Sequence, residues 1–182
     1  MSTQGLLLFH TPIGVCGLAW RGQGLVGVQL PEQDAEATAA RLGRRFADLE
    51  PAPPSAEALD ARARILSLLA GRQDADLSPI LLDLEHTPAF ERRVYAIARQ
   101  IPPGSTLTYG EIAARAGEPG GAQAVGQAMG RNPWPIVVPC HRVVGSGGKL
   151  GGFSAAGGSK AKLRLLAIEG AMTRGLPLFE QR

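Results

Sequence analysis

"TYGEIAARAGEPGGAQAVGQAMGRN", residues 108–132, carries two helix signals around a glycine-proline break. Thr108 with Glu111 is a capping-box pair that heads a short helix over 109–116. "GEPGG" is a turn, and "AQAVGQAMGRN" reads as a second short helix. Two short helices joined by a Gly-containing turn fit a helix-turn-helix, and an ordinary αα-hairpin fits the same pattern. The second helix is built from small residues, Ala122, Ala124, Gly126, Ala128 and Gly130. Glycine in a helix costs about 1 kcal/mol relative to alanine. That cost is accepted where something must approach the backbone, either another helix or a DNA groove. A narrow minor groove admits small side chains better than large ones.

Upstream, "TPAFERRVYAIARQIPPG" predicts a helix capped by Thr87, with Pro88 in its first turn and an apolar face of Phe90, Val94, Ile97, Ala98 and Ile101. The composition changes there, which places a domain boundary near residue 86. Before it, "GLLLFHTPIGVCGLAW" and "GLVGVQL" read as strands around turn signals. Residues 33–47 read as a helix with Asp34 near its start and Arg44 and Arg45 near its end, the favourable sense for the helix dipole. "SAEALDARARILSLLAG" is a helix capped by Ser55 and stopped by Gly71, and "SPILLDLEHT" is a strand candidate. The expected fold class is α/β (α+β). A small N-terminal sheet-plus-helix domain, 1–86, precedes a mainly helical C-terminal domain, 87–182, with a helix-turn-helix and an active-site loop.

Downstream, "IVVPCHRVVG", residues 136–145, sets a thiol, an imidazole and a guanidinium side by side in a segment otherwise fit for burial. A neighbouring imidazole or cation lowers a thiol pKa and raises its thiolate fraction. Cys140 therefore reads as a candidate nucleophile beside His141 and Arg142. A buried carboxylate would set the imidazole tautomer, and Glu169, in the otherwise apolar "LLAIEG", is the best candidate in the C-terminal half. A glycine-rich loop follows Cys140, able to wrap a flat ligand. The last helix, "SKAKLRLLAIEG", is expected to be capped by Ser159 and closed by Gly170.

Composition narrows the class. The 182 residues carry a net charge of +3, but residues 1–90 hold 7 Lys/Arg against 11 Asp/Glu, and residues 91–182 hold 12 against 5. A basic C-terminal half suits an anionic partner such as nucleic acid, or is simply a solvated surface. Two cysteines, Cys16 and Cys140, make no disulfide framework, and His10, Cys16 and His86 match no zinc spacing. No apolar run is long enough to span a bilayer and no signal-peptide pattern opens the chain. A cytoplasmic, metal-free protein is expected.

"PCHRVVG", preceded by "AVGQAMGRNPWPIVV" and followed by "GGFSAAGGSKAKLRLLAIEG", resembles the O6-alkylguanine-DNA alkyltransferase family (methylated-DNA–protein-cysteine methyltransferases). The resemblance covers residues 87–171 closely and the N-terminal half in broad pattern only. It implies a protein that binds double-stranded DNA from the minor-groove side, flips out an O6-alkylguanine and takes the alkyl group onto Cys140. Each molecule then works once, without a cofactor; O4-alkylthymine is a less certain substrate. The resemblance implies that His141, through a water held with Glu169, deprotonates Cys140, and that Asn132 braces the turn. Tyr109 serves the leaving guanine. Lys162 and the Ser154 backbone stabilise that base, carbonyls at Cys140 and Val143 read its amine, and Arg142 ties the loop to the protein. Trp134 lines the pocket or packs. Ala122, Gln123, Ala124, Gly126 and Arg131 face DNA. The family usually has arginine where this chain has Gln123, which predicts weaker flipping or affinity, with Arg131 as a candidate to compensate. The expected state is a monomer, with cooperativity on DNA left open.

Three other readings compete. Alkyltransferase-like lesion sensors resemble this chain but lack the cysteine. A transcription regulator would need more base-reading side chains than this helix offers. A thiol hydrolase has no other support in the sequence.

Overall fold

The computed structural model describes residues 3–171, so the stretch 172–182 assigned above to the second domain lies outside the described residues. The protein is α+β: a three-stranded antiparallel sheet in the N-terminal half and helices thereafter. Strands β1 (Gln4–Thr11), β2 (Gly14–Arg21) and β3 (Gly24–Gln29) form a meander in the order β1-β2-β3. Both sheet faces are covered, which explains strands that are apolar on both sides. On β2, Cys16, Leu18 and Trp20 enter the main core, whereas Ala19 faces α1 (Ala35–Arg45) with Leu6 and Leu42. This is the period of two expected of a strand. A bulge between Ala19 and Trp20 leaves Leu25 and Val28 of β3 on the main-core side although they are three residues apart. Gly17 and Gly27 let α1 approach, since a Cβ at either would strike Leu42 or Phe46.

Helix α2 (Ala56–Leu69) packs Ala61, Ile65 and Leu68 into the main core. Ser55 caps it by accepting from the Ala58 N–H, and Gly71 follows at φ 82°. "SPILLDLEHT" is not a strand. It touches β3 through one bridge, Leu25 to Leu82, because the next donor along that edge, the Val28 N–H, bonds instead to the Pro133 carbonyl. The free edge of β3 is thus shared between two loops.

Helix α3 (Ala89–Arg99) begins one residue later than a Thr87 cap would require. Pro88 is its N-cap, Thr87 makes no capping bond, and the Thr87 carbonyl accepts from Arg92 Nε. Its buried face is Val94, Tyr95 and Ala98. A two-residue strand, β4 (Leu107–Thr108), leads into α4 (Tyr109–Arg115), and α5 (Ala122–Gly130) packs on α4. Both bonds of the Thr108–Glu111 capping box are present. Strand β5 (Val143–Val144) pairs parallel with β4, and α6 (Gly158–Ile168) closes the described chain. Ser159 lies inside the first turn of α6 and does not cap it; Gly157, at φ 86°, holds that position. Gly170, at φ 67°, ends it as expected. Among the described residues no helix is long and apolar enough to cross a membrane.

Candidate active site

Two short elements bring the site together. Cys140–Arg142 is a single 3-10 turn that runs directly into β5, and β4 runs directly into Tyr109. The pairing of Leu107 with Val143 and Thr108 with Val144 therefore sets Tyr109 beside the Cys140 turn. Behind the turn, Asn132 donates from Nδ2 to the Val138 carbonyl at 2.9 Å and accepts from the Trp134 N–H at 2.9 Å. Both bonds lie within one loop, so Asn132 fixes the path of residues 132–138. Ile136, buried in that loop, has φ 76°, a costly conformation for a β-branched residue that the surrounding bonds hold.

His141, Arg142 and Glu169 form one buried cluster. His141 Nε2 lies 2.7 Å from Glu169 Oε1, and Arg142 donates from Nε and Nη2 to the two Glu169 oxygens at 2.9 and 2.8 Å. Burial alone would raise the Glu169 pKa, but the hydrogen bonds from His141 and Arg142 bring it down to about 2. An ionised Glu169 can only accept, so His141 must carry its proton on Nε2 and present a lone pair at Nδ1. That Nδ1 is buried and has no hydrogen-bond partner. Burial also pushes the His141 pKa below its usual value, against the pull of Glu169, which leaves the imidazole neutral.

The thiol differs from the reading of adjacent residues. Arg142 faces Glu169 and the Ile101 carbonyl, and the His141 ring faces Glu169, so neither side chain is turned to the Cys140 thiol. Burial raises the thiol pKa, against smaller opposing effects from Asn132 and Lys162. Cys140 rests as a protonated thiol.

Lys162 is fully buried and donates to the Val143 and Leu150 carbonyls at 2.5 and 2.6 Å. Its ammonium sits 5.8 Å from the Tyr109 ring centre, and burial lowers its pKa to about 8. Burial, then the nearby Cys140, raises the Tyr109 pKa. A cavity of about 430 Å³ is lined by Tyr109, Gly126, Met129, Cys140, Phe153 and Ser154. Gly151, at φ 65°, lies so close that a Cβ there would meet the Tyr109 hydroxyl at 2.9 Å.

Trp134 does not line this cavity. It is buried, packs edge-on against Tyr95 at 5.9 Å, and donates from Nε1 to the Leu25 carbonyl at 2.7 Å. It joins the N-terminal sheet to the active-site loop. Gln123 and Ala124 are exposed on α5, whereas Ala122 and Gly126 are partly covered. Arg131, at the C-cap of α5, is two turns away from Gln123 and is paired with Glu91 at 2.6 Å. Sequence reasoning missed Tyr95, whose hydroxyl holds the Ala128 carbonyl of α5 at 2.9 Å, and it missed Glu91. The Tyr95 signal was present, one position beside the apolar stripe of α3. Cys16 is a buried strand residue with its pKa raised to about 11, mainly by burial, and His10 is exposed.

Comparison with known proteins adds four findings. Residues 89–171 match the family described as 6-O-methylguanine DNA methyltransferase, DNA binding domain. The chain is 39% identical over 171 residues to a methylated-DNA–protein-cysteine methyltransferase of Methanothermobacter thermautotrophicus, covering 92% of this chain and 86% of that one. It is also 39% identical to the Mycobacterium leprae protein of the same name, over 87% of this chain and 88% of that one. Among solved structures, the fold is similar to the Mycobacterium tuberculosis protein in complex with DNA, with TM-score 0.73, 36% identity, and 92% and 93% of the two chains covered.

Proposed function

Because the chain belongs to the methylated-DNA–protein-cysteine methyltransferase family, and so is a DNA-binding repair enzyme, we propose that it takes the alkyl group of O6-alkylguanine irreversibly onto Cys140. The observation that carries this reading is a protonated thiol in the wall of a base-sized cavity, next to a neutral imidazole whose free lone pair is buried. The thiol proton passes to His141 Nδ1 through a water, and Glu169 stabilises the imidazolium. Cys140 Sγ then displaces guanine: the S–C bond forms as the C–O6 bond breaks. The guanine leaves with the bonding pair and takes back one proton, so protein and base end neutral.

Tyr109 and the Ser154 N–H meet the charge that develops on the base, and Lys162 acts at longer range through the Val143 strand. Carbonyls at Cys140 and Val143 face the exocyclic amine. Asn132 and Arg142 are positioning residues. The α4–α5 pair is the helix-turn-helix, with Ala122, Gln123, Ala124, Gly126 and Arg131 toward the minor groove of a duplex from which the damaged nucleotide has been extruded. Residues 87–182 form the transfer domain and residues 1–86 support it. The thioether is stable, so one chain repairs one lesion; O4-alkylthymine is the secondary candidate substrate.

The test is intact-protein mass spectrometry after incubation with a duplex carrying one O6-methylguanine, alongside Cys140→Ala. One methyl per wild-type chain, mapped to Cys140 and absent from the variant, is expected. Duplex binding without mass gain would instead favour a lesion-sensing role.

A further inference from the structure

A second cavity reaches Cys140 from the N-terminal half. It measures about 230 Å³ and shares Met129, Gly130, Cys140, Phe153 and Ser154 with the base-sized cavity, then continues to β3 and α1. Arg41, Arg45 and Arg131 line it, and Glu32 is the single acid in its wall among the described residues. With Glu32 on Arg41 and Glu91 on Arg131, Arg45 is the excess positive charge of this cleft, which suits an anion. The N-terminal half is acidic, yet three of its seven basic residues, Arg41, Arg44 and Arg45, fall in the second half of α1.

The arginines are arranged for capture. Arg45 is fixed by bonds from Nη1 to the Val28 carbonyl and Gln29 Oε1, and from Nη2 to the Pro133 carbonyl. Those three bonds leave two of its five N–H donors unengaged. Burial, then repulsion from Arg41, lowers its pKa, and a bound anion would relieve that repulsion. Arg41 and Arg131 have side chains 49% and 61% exposed, and each holds one carboxylate, Glu32 at 3.2 Å and Glu91 at 2.6 Å. The carboxylates are mostly buried, at 19% and 13% exposed, but the guanidiniums reach solvent, where a phosphate that matches the guanidinium fork can compete for them.

We infer that Arg41, Arg45 and Arg131 form a phosphate-binding site for the nucleotide whose purine occupies the Cys140 cavity. The inference rests on the alkyl-transfer reading and extends it, since it makes the N-terminal half a substrate-binding part. The phosphate has two sources: the backbone of the damaged strand next to the extruded nucleotide, or the 5′-phosphate of a free O6-alkylguanine nucleotide.

The experiment compares the full chain with Arg41→Gln and Glu32→Gln on three alkyl donors. These are free O6-benzylguanine, which has no phosphate; O6-methyl-dGMP against its nucleoside; and an O6-methylguanine duplex at several salt concentrations. Arg41→Gln is expected to leave transfer from O6-benzylguanine unchanged and to weaken a phosphate-bearing donor about five-fold. For the duplex, the slope of log affinity against log salt should fall by about one. Glu32→Gln, which frees Arg41, should move the same donor about two-fold the other way. A loss confined to the duplex assigns the site to the strand backbone, and one confined to the monophosphate assigns it to the free nucleotide. Unchanged phosphate-bearing donors in both variants would overturn the site, as would an equal loss on O6-benzylguanine. Failure of wild-type protein to take an alkyl group from any of the three donors, the O6-methylguanine duplex included, would sink the transfer reading itself.

Discussion

Replacing Glu169 with glutamine tests the buried cluster through both stability and reactivity. The carboxylate accepts three N–H bonds, one from His141 and two from Arg142, with its side chain only 2% exposed. A carboxyl whose pKa falls from 4.5 to about 2 on folding contributes about 3 kcal/mol of stability at neutral pH. Removing one partner of a buried ion pair typically costs about 3–5 kcal/mol, in agreement. The sign follows from the lowered pKa. The contribution is complete above the unfolded value near 4.5 and drains away as pH falls toward 2. Urea unfolding, followed by the fluorescence of buried Trp20 and Trp134, should therefore show Glu169→Gln about 3 kcal/mol weaker than wild type at pH 7. The gap should narrow steadily below pH 4.5. Single-turnover transfer from an O6-methylguanine duplex should slow by about 10²-fold or more, because a neutral amide no longer stabilises the imidazolium. A gap under about 1 kcal/mol at pH 7, or one that stays constant to pH 3, would refute the account of Glu169 as the ionised anchor.

The pH dependence of wild-type transfer from free O6-benzylguanine should report two other groups. Burial holds the His141 pKa below 6.5, so the rate should stay flat as pH falls through 6.5 and drop only at lower pH; it should also decline above about 8 as Lys162 loses its proton. A rate already halved at pH 6.5 contradicts a neutral resting imidazole. Gln123→Arg, on the exposed face of α5, should tighten binding to an O6-methylguanine duplex by about three- to ten-fold and speed transfer, since a guanidinium adds charge and planar reach. Equal affinity and rate, measured by titration and single-turnover assay, would show that this position does not limit extrusion.

Local signals were readable where one element decides its own geometry. Ser55 and the Thr108–Glu111 box cap the helices expected of them, and Asp34, expected only near a helix start, is the N-cap of α1, because a cap needs only the next three residues. Thr87 and Ser159, read from the same residue types, do not cap. The Cys140–Glu169 neighbourhood was also readable, through motif and through an acid stranded in an apolar helix. What escaped depends on partners far along the chain. "SPILLDLEHT" has strand composition, but Pro133, fifty residues away, takes the β3 edge it would need. Trp134 reads equally as pocket wall or packing, and the Leu25 carbonyl decides for packing. Arg41 and Arg45 look like ordinary cations at the end of a helix. Only the fold places them beside a cysteine about one hundred residues further on.

Burial and reactivity pull against each other at Cys140, and the arrangement of cations resolves the conflict. The cations that flank the Cys140 turn are engaged elsewhere: Arg142 on Glu169, Lys162 on two carbonyls, Arg131 on Glu91. Asn132 and Lys162 favour a thiolate less than burial opposes it, so the sulfur stays protonated. A protonated thiol is a poor nucleophile, so stray oxidants and electrophiles meet little reactivity. The base that removes the proton, His141, is equally poised against ionising, because its imidazolium would be buried and is favoured only by Glu169. Transfer of the proton from Cys140 to His141 therefore creates a charge pair that is unfavourable until a third partner occupies the cavity. In the proposed transfer a departing guanine supplies it, its growing negative charge met by Tyr109 and by an ammonium whose pKa burial lowers to about 8. In the proposed single-use transfer, this order of events matters more than a low thiol pKa. A cysteine already ionised at rest would be lost to the first electrophile that reached it, whereas this one reacts when the leaving group is in place.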